Sequence, residues 1–203
     1  MAVKESGSKE EKSLTKYRQK RKPDATPEPM GSKKNRKHIY VVQKHYATRL
    51  HYDLRLEHKG VLLSWAVPKE PSFDPKVKRL AVHVEDHPVD YADFEGTIPE
   101  GNYGAGKVEI WDKGIWVPVQ EDIDKALADG DFKFRLEGGK LEGEWVLVRM
   151  GEPSEKENWL LINHGRGERS ESGVPWNDSV RLTHQLCELH TALPSGAAWQ
   201  YEV

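Results

Sequence analysis

The stretch Leu50-His51-Tyr52-Asp53-Leu54-Arg55-Leu56-Glu57 alternates apolar and polar residues without a break. Successive side chains of an extended strand point to opposite faces. One face therefore carries Leu50, Tyr52, Leu54 and Leu56, and the other His51, Asp53, Arg55 and Glu57. The period of two predicts a half-buried strand. The content of its polar face, an imidazole, a carboxylate and a guanidinium in a row, points to chemistry. For any one of those charges a solvated outer face is the plainer alternative, because charged residues are mostly exposed.

Working outward, the same signal recurs along the chain. Strands are predicted at 39–44, 50–57, 60–66, 79–85, 105–112, 131–136, 143–149 and near 158–162. Gly/Pro-rich turns separate them, at His58-Lys59-Gly60, Pro68 to Pro75, Gly101 to Gly104 and Gly138-Gly139. Short helices are predicted at 123–128, stopped by Gly130, and at 179–192, where Leu182, Leu186, Leu189 and Leu193 recur at helical spacing. The expected fold is mainly β: a compact antiparallel β-barrel with short flanking helices and a disordered basic N-terminal arm. The expected divisions are a disordered tail over 1–16, an arm over 17–38, the barrel over 39–162 and an extension of unassigned role over 163–203.

At 203 residues, 36% hydrophobic and 32% charged, the chain suits one domain with tails. No apolar run approaches the roughly 18 residues that span a bilayer, and the N-terminus lacks the apolar segment of a secretory signal. A single cysteine, Cys187, rules out an internal disulfide framework. The expectation is a cytoplasmic monomer with no membrane association. The net charge of −2 conceals an asymmetry: residues 1–38 carry 12 Lys/Arg against 5 Asp/Glu, and the remainder 19 against 28. A basic arm on an acidic body is an electrostatic handle for a polyanion, or a solvated tail.

His51 and Asp53 project to one side, roughly 7 Å apart along the strand. That spacing serves two ligands of one metal ion, and His45, of the same parity, is the nearest third. Two imidazoles and a carboxylate with open positions suit a divalent transition metal such as Mn or Zn. In Arg79-Leu80-Ala81-Val82-His83-Val84-Glu85-Asp86-His87, residues 79, 83, 85 and 87 share a second polar face. Two such strands facing each other would line a polar pocket in a barrel. His87 is then a candidate proton donor or phosphate ligand. Arg55, Arg79 and Lys69 are candidates to hold an anionic substrate. In Glu100-Gly101-Asn102-Tyr103-Gly104-Ala105-Gly106 no helix follows the glycines, which argues against a phosphate-cradling loop and for a tight turn near the site. The tryptophans read as core, and His164, His184 and His190 as structural or exposed. Glu57 reads as a solvent-side or structural charge.

Several linked motifs closely resemble the 3′-phosphoesterase module of bacterial DNA ligase D in a stand-alone form. They are Gln43-Lys44-His45, Arg49 to Glu57, Ser64-Trp65-Ala66-Val67-Pro68-Lys69, Lys78 to Val82, Val84-Glu85-Asp86-His87-Pro88, Asp90-Tyr91 and Phe94-Glu95-Gly96 to Gly106. The resemblance covers roughly residues 17–162 and implies a β-barrel with a manganese-dependent activity on DNA 3′ ends, zinc or cobalt being alternatives. It implies removal of a 3′-terminal ribonucleotide and then of a 3′-phosphate, leaving a 3′-OH. By motif, the metal ligands fall on His45, His51 and Asp53, and the phosphate contacts on Arg55 and His87. Lys69, Arg79, Glu85 and Tyr91 match further catalytic positions, and Arg21 and Glu28 match functional residues of the arm. Where the family usually has an aspartate after that arginine, this chain has Lys22. The implied partners are primer–template 3′ ends, including those with a terminal ribonucleotide, and a separate DNA ligase and polymerase. Two other classes fit parts of the pattern: a non-haem iron oxygenase, from the His-x-Asp and a further histidine, and a non-catalytic DNA-end-binding module.

Overall fold

The period-two runs become strands in the computed structural model, which describes residues 13–31, 38–151 and 157–165. The strands are β1 (Ile39–Tyr46), β2 (Leu50–His58), β3 (Val61–Val67), β4 (Arg79–His83), β5 (His87–Pro88), β6 (Gly96–Ile98), β7 (Gly106–Pro118), β8 (Asp131–Gly138), β9 (Glu142–Arg149) and β10 (Asn158–Gly165). Eight of them close a ring in the order β1-β2-β3-β4-β10-β9-β8-β7, and β7 pairs back onto β1. Every pairing is antiparallel. Closure removes the exposed strand edges that an open sheet would offer for aggregation. The two-residue β5 pairs with β3, and β6 with β7, outside the ring.

The even-numbered residues of β2 face the barrel interior. Tyr52, Leu54 and Leu56 pack there with Trp65, Trp116, Phe134, Trp145 and Trp159. Four of the seven tryptophans are thus core, as their strand positions predict. A second apolar cluster lies on the outer side of β1, β3 and β7 and includes Val41, Leu62, Tyr91, Ile98 and Val108. Leu14 and Tyr17 of the N-terminal arm complete it.

Leu14 shifts a boundary. Disorder through residue 16 was expected, yet Leu14 is 1% exposed and the helix α1 (Thr15–Gln19) follows it. Leu14 and Tyr17, three residues apart, share one helical face and bury it. Residues 1–12, the predicted helix at 179–192, Cys187, His184 and His190 lie outside the described residues. Among the described residues no helix is long and apolar enough to cross a membrane.

The predicted helix at 123–128 is α2 (Ile123–Asp129). Asp122 caps it by accepting from the Lys125 amide, and Gly130 ends it in the left-handed region at φ 77°. A Cβ on Gly130 would also lie 2.8 Å from that of Arg149. Gly130→Ala should therefore cost about 1–2 kcal/mol, combining left-handed strain with the contact. Urea unfolding measures this, and an unchanged midpoint would contradict it.

Candidate active site

The alternation in β2 does put His51, Asp53, Arg55 and Glu57 on one face, but that face is neither solvated nor inside the barrel. It is the outer wall, covered by the arm and by the segment joining β4 to β6. Asp53, Arg55 and Glu57 are only 6%, 3% and 6% exposed. This corrects the expectation of a pocket inside the barrel: the interior is filled mainly by apolar and aromatic side chains, and the buried Asp112 beside them is taken up by the Tyr40 hydroxyl and the Leu141 amide. Glu57 is structural rather than solvent-side. It accepts from the backbone amides of His38 (2.6 Å) and Gly60 (3.0 Å), fixing the start of β1 and the β2–β3 turn.

The antiparallel register of β1 and β2 sets His45 opposite His51, Gln43 opposite Asp53 and Val41 opposite Arg55. Ligand atoms of His45, His51 and Asp53 lie within 4.8 Å of one another. His45 Nδ1 is 3.6 Å from Asp53 Oδ2, and His51 Nε2 is 3.6 Å from Asp53 Oδ1. Donor atoms about 3.4 Å apart fit a tetrahedral shell with bonds of roughly 2.1 Å. The other ring nitrogens are already engaged. His45 donates its Nε2–H to the Gly104 carbonyl at 2.8 Å, and His51 its Nδ1–H to the Arg49 carbonyl at 2.9 Å. Each bond fixes a tautomer that leaves the lone pair toward Asp53, the outer-shell support usual for metal-binding histidines. Burial pushes the Asp53 carboxyl up, but the Arg55 guanidinium, joined by His45 and His51 when those imidazoles are protonated, holds the pKa below the ordinary value. The residues fit a divalent cation with three protein ligands and open positions.

The glycine-rich turn is part of this geometry. A Cβ on Gly106, at φ 140°, would collide with the Tyr46 carbonyl, so glycine lets the turn close against the β1 end. Gly104 then delivers its carbonyl to His45.

Arg55 connects the triad to a second group. It donates from Nε to Gln43 Oε1 (2.8 Å), from Nη1 to Ser64 Oγ (2.9 Å) and from Nη2 to Asp53 Oδ2 (3.1 Å). Gln43 has no choice of orientation, because its amide nitrogen donates to the Tyr91 and Phe94 carbonyls at 3.0 and 2.9 Å. A guanidinium has five N–H groups. Among the described residues, one on each terminal nitrogen is left over, a fork suited to two oxygens of a phosphate.

Arg55 also lies 4.8 Å from the Tyr91 ring centroid, and that ring meets His87 edge-on at 4.8 Å. His87 Nδ1–H donates to the Glu85 carbonyl at 2.8 Å. Its Nε2 faces Arg21 Nη2 at 3.2 Å, and because arginine can only donate, Nε2 accepts. His87 is therefore a neutral Nδ1–H imidazole. Burial, with Arg55 and Arg21 nearby, holds its pKa well below the ordinary value. Arg21 is in turn held by Glu28 (2.9 Å) and Glu85 (3.2 Å), while Tyr91 donates to Glu28 at 3.0 Å. Burial raises the Glu85 carboxyl, but the bonds from Lys20 and Arg21 bring it below its usual value.

Nine candidate residues thus join one contact network: His45, His51, Asp53, Arg55, Tyr91, His87, Glu85, Arg21 and Glu28. Two do not. Lys69 is exposed beyond the end of β3. Arg79 shares its sheet face with Ala81, which packs in the barrel interior, and its Nε donates to the Glu70 carbonyl at 2.9 Å. The single polar face expected over 79–87 does not exist, since β4 ends at His83 and the chain turns before His87 joins β3. Lys22 is exposed and points no side chain into the network. Sequence reasoning gave no role to Gln43, Ser64, Tyr17 or Lys20. Gln43 alone carried a usable signal, a polar residue sharing the parity of His45 within an apolar strand.

The depressed pKa of His87 has a measurable consequence. Below the ordinary histidine value of about 6.5 the unfolded chain binds protons that the folded chain refuses, so stability falls as pH drops through that window. His83, also lowered by burial, adds to the slope. His87→Gln should lose less melting temperature than the wild type between pH 7.5 and about 5.5. An identical slope for the two would sink the assignment.

The sequence model of the DNA ligase D 3′-phosphoesterase domain matches residues 43–149. The chain is 52% identical over 161 residues to the multifunctional non-homologous end joining protein LigD of Pseudomonas aeruginosa, covering 77% of this chain and 19% of that protein. It is 46% identical over 142 residues to the multifunctional non-homologous end joining DNA repair protein LigD of Mycobacterium tuberculosis, covering 67% of this chain and 18% of the relative. Against the LigD of Mycolicibacterium smegmatis the identity is 43% over 172 residues, 80% of this chain and 22% of the relative. The chain spans about a fifth of the length of these relatives.

Proposed function

This chain belongs to the DNA ligase D 3′-phosphoesterase domain family, and on that footing we propose that it is a metal-dependent phosphoric ester hydrolase that heals DNA 3′ ends. It removes 3′-terminal ribonucleotides by a phosphodiesterase step and 3′-phosphates by a phosphomonoesterase step. The resulting 3′-OH passes to a polymerase and a ligase in non-homologous end joining. The observation that carries this reading is the unbroken run of contacts from the triad through Arg55 and Tyr91 to His87 and Arg21.

His45, His51 and Asp53 hold the ion, manganese by preference, with zinc or cobalt able to replace it. When bound, it supplies Lewis acidity and neutralises phosphate charge. The protein's own groups do the rest. The free N–H fork of Arg55 binds two non-bridging oxygens and stabilises charge that develops on them. Arg21, kept in place by Glu28 and Glu85, brings a second guanidinium to the same phosphate. A bound phosphate dianion raises the His87 pKa, because neighbouring negative charge favours the imidazolium. As the phosphate draws Arg21 Nη2 onto its own oxygens, Nε2 is freed to take a proton from solvent, and it gives that proton to the leaving oxygen. Lys69 and Arg79 act at longer range, as cations that draw an anionic strand toward the site.

A gel assay tests this with 3′-ribonucleotide and 3′-phosphate primer–templates across Mn, Zn, Co and Mg. Metal-dependent trimming to a 3′-OH is expected. Retained DNA binding without turnover under any of these ions would instead identify an end-binding module. Turnover only with iron and oxoglutarate would identify an oxygenase.

A further inference from the structure

Tyr103 differs from the tyrosines of the arm and of the phosphate-binding group. Tyr17 and Tyr91 are buried at 0% and 2%, whereas Tyr103 is 49% exposed. The turn that carries it is nevertheless anchored. On one side Gly104 accepts from the ring of His45 at 2.8 Å. On the other, Asn102 donates to the Ala25 carbonyl of the arm at 3.1 Å and to the Pro99 carbonyl at 3.2 Å. The turn is thus pinned to a metal-ligand candidate and to the arm at once.

Two cations attend the ring. Lys20 Nζ lies 4.5 Å from its centroid and 3.3 Å from its hydroxyl, and the Arg21 guanidinium lies 5.6 Å from the centroid. Arg21 is also the residue that touches His87. The ring is therefore one residue from the triad's support and one side chain from the phosphate-binding group. An exposed aromatic ring flanked by cations is the usual surface for a nucleobase, with the ring stacking on the base and the cations meeting the backbone. A tyrosine has few rotatable bonds and loses little entropy when a base settles on it.

We propose that Tyr103 is the platform on which the terminal nucleobase of the substrate strand stacks while its 3′-phosphoester lies against the triad and Arg55. This subsite rests on the function proposed above and adds a positioning role to it. Stacking has no dependence on base identity, so the subsite accepts any of the four bases and rejects an end that lacks one.

The test pairs two 3′-phosphate primer–templates, one ending in an ordinary nucleotide and one in an abasic sugar, and measures KM and kcat for the wild type, Tyr103→Leu and Tyr103→Phe. Tyr103→Leu should raise KM about ten-fold on the ordinary end and leave the abasic end unchanged, with kcat within about two-fold. Tyr103→Phe, which keeps the ring, should behave as the wild type. In a separate binding measurement, a terminal 2-aminopurine should be quenched by the wild type and not by Tyr103→Leu. An equal loss on both ends would overturn the proposal and make Tyr103 a strap for Lys20. No loss on either end would also overturn it. A wild type that releases phosphate from neither end would remove the proposed function, and the subsite with it.

Discussion

Asp53→Asn abolishes divalent-cation binding at the triad and lowers kcat/KM by about a thousand-fold or more, equivalent to about 4 kcal/mol of lost transition-state stabilisation. The expectation follows from the place of this carboxylate in the network. One oxygen faces His51, the other faces His45 and accepts from Arg55. Asparagine keeps the shape but removes the charge, and its amide nitrogen offers hydrogens where a ligand lone pair is needed. A buried guanidinium is also left with less compensation. Titration calorimetry with Mn2+ reads the binding loss without reference to turnover, and circular dichroism shows whether the variant folds. A folded Asp53→Asn protein that binds Mn2+ and releases phosphate at the wild-type rate would refute the metal assignment.

Arg55→Lys lowers kcat/KM by about a hundred- to a thousand-fold although it keeps the positive charge. Lysine is a point charge on a flexible stem and cannot reproduce the planar fork. One ammonium cannot reach Gln43, Ser64 and Asp53 and still offer two parallel N–H groups to a phosphate. Gln43 cannot turn away, since its amide is held by the Tyr91 and Phe94 carbonyls. Its orphaned buried oxygen should cost about 1–3 kcal/mol of stability. Inhibition by inorganic phosphate separates the two effects. A weaker inhibition constant marks lost phosphate binding, and a shifted urea midpoint marks lost stability. Phosphate inhibition equal to that of the wild type would contradict the role given to the fork.

Much of the fold was legible because strands write themselves into sequence locally. The alternation over 50–57 and the Gly/Pro punctuation between runs needed no knowledge of distant contacts, and the Ile123 helix announced its end at Gly130. The failures were non-local. The alternation held only over 79–83: the pairing partners decide that β4 stops at His83 and that Arg79, partly exposed, shares its sheet face with Ala81. Leu14 reads locally as a scattered apolar residue of the charged tail over 1–16, and Tyr17 as the first residue of the arm. Their burial depends on a cluster formed by Val41, Leu62 and Tyr91, far away in the chain.

By itself the sequence determined which residue types could do the chemistry and which of them share a strand face, because side-chain direction in a strand depends only on parity. His51, Asp53 and Arg55 were related in that way before any fold was known. The tertiary structure decided which side of the barrel that face occupies and what covers it. Interior volume goes to the largest apolar rings, since their burial stabilises the fold most per residue. The polar face therefore turns outward, where the arm shields it from water. The antiparallel register brought His45 to His51, and a turn between strands carried His87 and the arm's Arg21 to Arg55. Local alternation has no means to encode those meetings, which depend on how distant segments pack.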